Sequence, residues 1–405
     1  VWLLLFSMLF ILGLLGLWKL GTSRYLWCAG MGLAGMILTK ETYIIHLACA
    51  LIALPLLALS IGLIDQIGVS IDSFIKFLPS DKLTWLKRIL ARVRDTLTFP
   101  PVDGSQPAQQ QWNWLDLLVV SSVAAAAIVL FYSGTFFHWS GVKGLYKTFD
   151  TWFKTGSNGN GHEKKWWYWL MLIGRYEAAV AIGLLACALC QWFKDITVRY
   201  LAIYAVGVLL AYSIVHYKTP WCIISVVWPF LFLFAAVLIL VPVRWLRLAH
   251  GAIAVVLAAS LTQTVILNYF RCTTDTEPYV YVQTYNDIFK LTRPLLQLAK
   301  KDPVFYQLTG HLIRTSSYPL PWILGDFTRV GYYEHDNPPA KMDADFLLVQ
   351  EDRVAETEPK LRNAYYADSL TIRPYQDTSK LYLSARVFSQ FFPGRTPEFP
   401  AKQVP

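Results

Sequence analysis

The chain has 405 residues, 55% of them hydrophobic and only 16% charged. An average soluble domain carries about a quarter of its residues as charges, so the composition points away from a water-soluble globule and towards a bilayer. The formal net charge of +9 is not read as a nucleic-acid footprint: much of the excess lies in loops beside apolar runs, where Lys and Arg set orientation, and no nucleic-acid module is visible.

A hydrocarbon core about 30 Å thick needs roughly 20 apolar residues per helical crossing. Eight apolar runs are predicted to cross: 1–18, 26–39, 43–64, 115–136, 167–193, 200–216, 220–241 and 248–269. The first has no basic stretch before it, so it does not read as a signal peptide; the chain begins inside an apolar run and is expected to lack an upstream segment. The second is short, with Gly30, Gly32 and Gly35 forming a small-residue face suited to close helix packing. The fifth is interrupted by Arg175 and Glu177, which would place its first part at the interface.

The loops between these runs carry Lys and Arg unevenly. Lys19 and Arg24, the six basic residues from Lys76 to Arg94, Lys194 and Arg199, and Arg244 and Arg247 fall in alternate loops. That set is assigned to the cytoplasm. The parity then puts the C-terminal region outside, although the outer loop 137–166 carries five lysines. Stretch 82–97 reads as a basic amphipathic helix on anionic lipid, and 98–113 as a Pro- and Gln-rich linker.

From about residue 270 the pattern changes. Apolar runs of period two, such as Tyr279–Val282 and Phe346–Val349, alternate with helix-like stretches. Strands are predicted near 279–283, 346–350 and 369–373, with helices near 286–300 and 354–364. The fold class is therefore an integral membrane α-helical bundle (residues 1–269, with a cytoplasmic insertion 65–114) followed by a small extracytoplasmic α/β domain (270–405).

The chemistry is sought in four polar clusters on the predicted outer face. They are Thr39-Lys40-Glu41-Thr42; Gly161-His162-Glu163-Lys164-Lys165-Trp166-Trp167; Arg175-Tyr176-Glu177; and His216-Tyr217-Lys218-Thr219-Pro220-Trp221. Ionisable groups at helix ends near a membrane cost free energy unless they pair or face water, so they point to function by default. Lysine offers a compact charge for phosphate, and His and Glu move protons near neutral pH. The competing reading makes Lys40–Glu41 and Arg175–Glu177 local ion pairs that anchor helix ends, and the Trp-rich run an interfacial belt. His46 and His250 read as packing residues. His311 and His335 have no metal-ligand spacing around them. The six cysteines include Cys187-x-x-Cys190 inside an apolar run; they read as small packing residues without a disulfide framework. No phosphate-binding G-x-x-x-x-G-K-[ST] loop occurs.

At these residues the chain resembles a family. Gly32-Leu33-Ala34-Gly35 running into Thr39-Lys40-Glu41-Thr42 resembles a segment of membrane glycosyltransferases of the GT-C fold, such as the dolichyl-phosphate-mannose protein mannosyltransferases. Gly161-His162-Glu163, Arg175-Tyr176-Glu177, Tyr217-Lys218-Thr219-Pro220-Trp221, Tyr318-Pro319-Leu320-Pro321-Trp322 and Val349-Gln350-Glu351-Asp352-Arg353 look more like one prokaryotic branch, the flippase activity-associated proteins. The resemblance covers most of the chain from about residue 25. It implies a polyprenyl-phosphate-linked sugar donor used on the outer face, inversion at the anomeric carbon, and a carboxylate base from a first outer loop that would lie upstream of Val1. The long insertion 65–114 departs from the family's compact pattern.

The sequence thus leads to a membrane glycosyltransferase acting on a lipid-phosphate sugar and an unidentified acceptor, with no cofactor and a divalent metal left open. Lys40, Glu41, Arg175, Tyr217 and Lys218 are the expected lipid-phosphate and substrate contacts. His162 and Glu163, on a loop with Gly156, Gly159 and Gly161, are the catalytic candidates, either ordering the acceptor or assisting proton transfer. The rivals are a non-catalytic flippase or transport-associated subunit handling lipid-linked sugars, and an outer-face scaffold protein.

Overall fold

The computed structural model describes residues 1–77, 87–88, 111–158, 162–189, 195–274, 276–334, 337–374 and 376–398. The chain divides into two units, Val1–Ile266 and Leu267–Pro405. The expected basic amphipathic stretch 82–97 lies outside the described residues, apart from Lys87 and Arg88, which are helical. His335 and Cys190 also lie outside them.

The first unit is helical. Its described helices are α1 (Trp2–Leu20), α2 (Ser23–Thr39), α3 (Tyr43–Phe77), α4 (Trp114–Tyr132), α5 (Ser140–Asn158), α6 (Tyr168–Tyr176), α7 (Ala178–Ala188), α8 (Ile196–Ile214), α9 (Ile223–Ala236) and α10 (Leu246–Val265). Among the described residues, six helical stretches are long and apolar enough to cross a membrane, or seven if the bent pair α6–α7 is one span. The sequence reading counted eight, and two physical facts account for the difference. Helix α2 has only 17 residues, about 26 Å of rise at 1.5 Å per residue. The fifth run is no single rod: α6 and α7 meet at 118°, with Glu177 at the joint in a non-helical conformation (φ −115°, ψ 64°).

Close backbone approach holds α1 and α2 together. A Cβ placed on Gly32 would lie 2.5 Å from the Phe10 amide nitrogen, and one on Gly13 would lie 2.3 Å from that of Ala29. Small residues allow such packing where lipid supplies no hydrophobic driving force. Elsewhere the helices leave wide apolar faces open: α4 buries only Val120 among its described residues, and α10 buries none. Apolar faces of that breadth do not persist in water. With the long apolar helices they suggest a multi-pass membrane protein.

The region read as an outer loop, 137–166, contains α5. Its half-buried Val142, Leu145, Phe149 and Trp152 recur at helical spacing. Between α4 and α5 the backbone makes a left-handed turn, with Gly134, Thr135 and Phe136 at φ 55°, 60° and 68°. For a residue with a Cβ that region costs about 1–2 kcal/mol. The turn is held by the buried Ser133, whose hydroxyl accepts from the Phe136 amide at 2.9 Å, and by the Thr135 amide donating to the Leu130 carbonyl at 2.8 Å.

The second unit is an α/β layer. Strands β1 (Thr309–Ile313), β2 (Arg329–Tyr333), β3 (Phe346–Gln350), β4 (Tyr365–Leu370) and β5 (Ser379–Ser384) form one sheet in the order β2-β1-β3-β5-β4. Strand β1 is parallel to β2 and β3, while β5 is antiparallel to β3 and β4. Central β3 is buried at every position, so its sequence is a continuous apolar run without alternation. One core packs α11 (Phe289–Lys301) through Leu291, Leu295 and Leu298 against Leu312, Phe346 and Leu348; Leu347, Tyr365 and Tyr382 belong to another. The strand expected at 279–283 is absent: that segment makes turns, and Val282 takes φ 57°. The strand expected at 369–373 lies earlier, and the helix expected at 354–364 begins at Glu351.

Candidate functional site

Helix α2 ends where Thr39 turns its hydroxyl back onto the Gly35 carbonyl at 2.9 Å and Lys40 becomes extended (φ −166°). Two residues later α3 begins, so Lys40-Glu41-Thr42 forms a tight corner. A second corner lies between α8 and α9, where the chain leaves α8 extended at Val215, bends at His216 and is extended again at Thr219 before a 3-10 turn at Pro220–Cys222 leads into α9. These corners and α5 enclose a cavity of about 430 Å³, lined by Lys40, Glu41, Thr42, Ile45, Thr148, Trp152, Tyr212, Val215, Tyr217, Thr219, Trp221 and Cys222.

Its polar end is electropositive. The Lys40 ammonium lies 3.5 Å from the Cys222 thiol, which is also 3.2 Å from the Thr219 hydroxyl. Cys222 sits in the 3-10 turn leading into α9; its amide donates to the Thr219 carbonyl at 3.0 Å and the Ile223 amide to the Pro220 carbonyl, so it is the helix dipole that favours negative charge there. A cation beside that dipole can share a bound anion with it. Glu41 supplies a half-buried carboxylate on the same lining. Trp152, Tyr212, Tyr217 and Trp221 contribute aromatic wall.

The expected site residues divide. Lys40, Glu41 and Tyr217 line the cavity. His162 stands edge-on to the Tyr217 ring at 5.0 Å, and Glu163 pairs with Tyr217 in an isolated antiparallel bridge. The Lys218 amide donates to the His162 carbonyl at 3.1 Å, and the Lys164 amide to the His216 carbonyl at 3.3 Å. Residues 162–164 therefore brace the outside of the wall, and neither His162 nor Glu163 belongs to the lining. Arg175 is exposed at the end of α6, its guanidinium 5.4 Å over the Tyr176 ring, and is also outside the lining.

Lys218 departs most from expectation. Val215, Tyr217 and Thr219 line the cavity, and Lys218 between them does not. It is 1% exposed. Its ammonium donates to the Lys164 carbonyl at 3.3 Å and to the Val215 carbonyl. Burial pushes its pKa below the ordinary 10.5.

Six lining residues, Ile45, Thr148, Trp152, Tyr212, Val215 and Cys222, lie outside the four polar clusters. Thr148 and Trp152 were hidden because α5 was read as loop, although its apolar spacing was the available signal. Cys222 was taken as a packing residue. His46, also taken as packing, is wholly buried, with Nδ1 2.8 Å from the Tyr204 hydroxyl and Nε2 3.4 Å from that of Tyr212; it ties the cavity-lining Tyr212 into the bundle. No group of three or more His, Cys, Asp or Glu able to hold a metal occurs among the described residues.

No protein-family model matches the chain, and neither a curated protein nor a solved structure matches it.

Proposed function

We propose that the first unit is a membrane glycosyltransferase that binds a polyprenyl-phosphate-linked sugar in the Lys40 cavity and transfers the sugar to an acceptor at the outer face. The observation that carries this reading is the meeting of the Lys40 ammonium with the first turn leading into α9 inside an aromatic-walled cavity. In the reaction the acceptor oxygen bonds to the anomeric carbon and gives its proton to a carboxylate base as the bond from that carbon to the phosphate oxygen breaks. Charge grows on the departing phosphate, and a fixed cation with the positive end of the α9 dipole placed there stabilises it. Glu41 hydrogen-bonds sugar hydroxyls, and the aromatic rings cover the sugar and the first part of the lipid. Lys218, His162 and Glu163 act from outside the lumen by fixing the wall.

The test uses full-length protein in nanodiscs, with cysteines other than Cys222 replaced by alanine. Undecaprenyl phosphate should protect Cys222 from a methanethiosulfonate reagent, undecaprenol should not, and Lys40→Met should abolish the protection. Labelled sugar presented on polyprenyl phosphate should then reach an acceptor fraction. Equal protection by the alcohol would refute the phosphate site. Protection with movement of the lipid across the bilayer, but no transfer, would assign the chain to the flippase-associated reading.

A further inference from the structure

The cavity has one wall unlike the others. Helix α5 contributes Thr148 and Trp152 to the lining, and Phe149 packs edge-on to Tyr43 at 6.1 Å. Its outward face carries Lys143, Tyr146, Lys147, Asp150 and Lys154, all exposed, with Tyr146 at 74%. Three cations against one acid make that face basic. The left-handed turn before α5 points aromatics away from the bundle: Phe137 is 82% exposed and Trp139 61%. The start of α5 packs closely on the end of α4: a Cβ on Gly141 would lie 2.0 Å from the Tyr132 carbonyl oxygen. A backbone strained over consecutive residues to expose large apolar rings indicates an apolar environment for those rings. A basic helix face beside them indicates anionic charge at the same level.

From this we propose that the turn 134–139 and α5 form an interfacial foot that docks on anionic phospholipid, with Phe137 and Trp139 inserted at the acyl boundary and Lys143 and Lys147 on headgroup phosphates. Held in the plane of the interface, α5 is the wall past which a lipid-borne phosphate enters the cavity. The docking surface stands on its own geometry; its role as an entry wall rests on the proposed function.

The experiment places a bimane on Phe137→Cys in otherwise cysteine-free full-length protein, in nanodiscs of phosphatidylcholine with or without phosphatidylglycerol. Brominated lipid should quench the probe and aqueous iodide should not, and emission should shift to the blue as phosphatidylglycerol is added. Charge removal by Lys143→Gln with Lys147→Gln should weaken that response about 30-fold, from roughly fivefold per lysine at a membrane surface. Iodide quenching with insensitivity to bromolipid would overturn the proposal by showing that the foot faces water. A blue shift independent of phosphatidylglycerol, or unchanged by the two substitutions, would equally overturn it. Depth and charge response are read without any cavity ligand, so they survive a failure of the transferase reading. The entry role is tested separately, in the Cys222 background, as slower protection by undecaprenyl phosphate in the double-glutamine protein.

Discussion

Replacing Lys218 with methionine separates a wall residue from a phosphate ligand. The substitution keeps the length of the side chain and removes the ammonium. In the structure that ammonium is buried and satisfies the carbonyls of Val215 and Lys164, and no described carboxylate is paired with it. Leaving a buried acceptor without a partner costs about 1–3 kcal/mol. Two such carbonyls, less the relief of no longer burying a charge, give a net loss of roughly 2–4 kcal/mol. In a bundle of this size that should lower the apparent unfolding midpoint by roughly 5–10 °C, read by thermal unfolding in nanodiscs at a fixed scan rate. Lys40→Met provides the contrast. Its side chain is half-buried with the ammonium in the cavity, so stability should change by less than about 1 kcal/mol. Transfer should fall by about two orders of magnitude, the usual cost of removing one group that stabilises developing charge. Should Lys218→Met keep its midpoint and lose transfer as Lys40→Met does, the assignment of Lys218 to the wall is wrong.

Other outcomes follow from the same geometry. Because burial lowers the folded pKa of Lys218 below 10.5, the unfolded chain binds more protons between those two values. Stability should therefore rise with pH through that window, and Lys218→Met should flatten the rise, as followed by unfolding midpoints across an alkaline series. In the second unit, burial pushes His311 below its usual 6.5, opposed by its bond to the Met342 carbonyl and by the Asp343 carboxylate. Acidification below about 6.5 should thus destabilise that unit, and His311→Gln should reduce the pH dependence, measured by amide exchange in 309–313. Gly32→Leu should cost at least about 1–3 kcal/mol by forcing α1 and α2 apart, seen as a lower midpoint. His46→Phe should strand the Tyr204 hydroxyl at about 1–3 kcal/mol; an unchanged midpoint would show that this bond does not form.

What was legible in the sequence follows physical periodicity. Hydropathy located most apolar helices, and the charged Arg175 and Glu177 marked the joint between α6 and α7. Strand β3 was visible through its apolar run Phe346–Val349, although that run is continuous and not of period two. Strands β1, β2 and β5 were missed: Thr309-Gly310-His311 and Arg329-Val330-Gly331 carry too few branched apolar residues, and the sheet context that buries them comes from distant segments. Helix α5 was missed because its lysines lowered the local hydropathy, although Val142, Leu145, Phe149 and Trp152 kept a helical rhythm. The candidate site shows the same limit at higher resolution. Sequence brought Lys40, Glu41, Tyr217 and Lys218 to attention as neighbours of helix ends, but a helix-end position does not say which way a side chain points. In residues 215–219 the answer came from the bridge of Tyr217 to Glu163 beside the bend at His216: Val215, Tyr217 and Thr219 line the cavity and Lys218 is buried in the wall. A lysine read as a ligand by composition thus becomes a brace by register. Shifting that register by one residue, by deleting His216 for example, should turn Lys218 towards the lumen and Tyr217 out of it. The prediction for that deletion is loss of the His162–Tyr217 ring contact together with loss of Cys222 protection by undecaprenyl phosphate. A deletion that leaves both intact would show that the register of this bridge does not set the orientation of this wall.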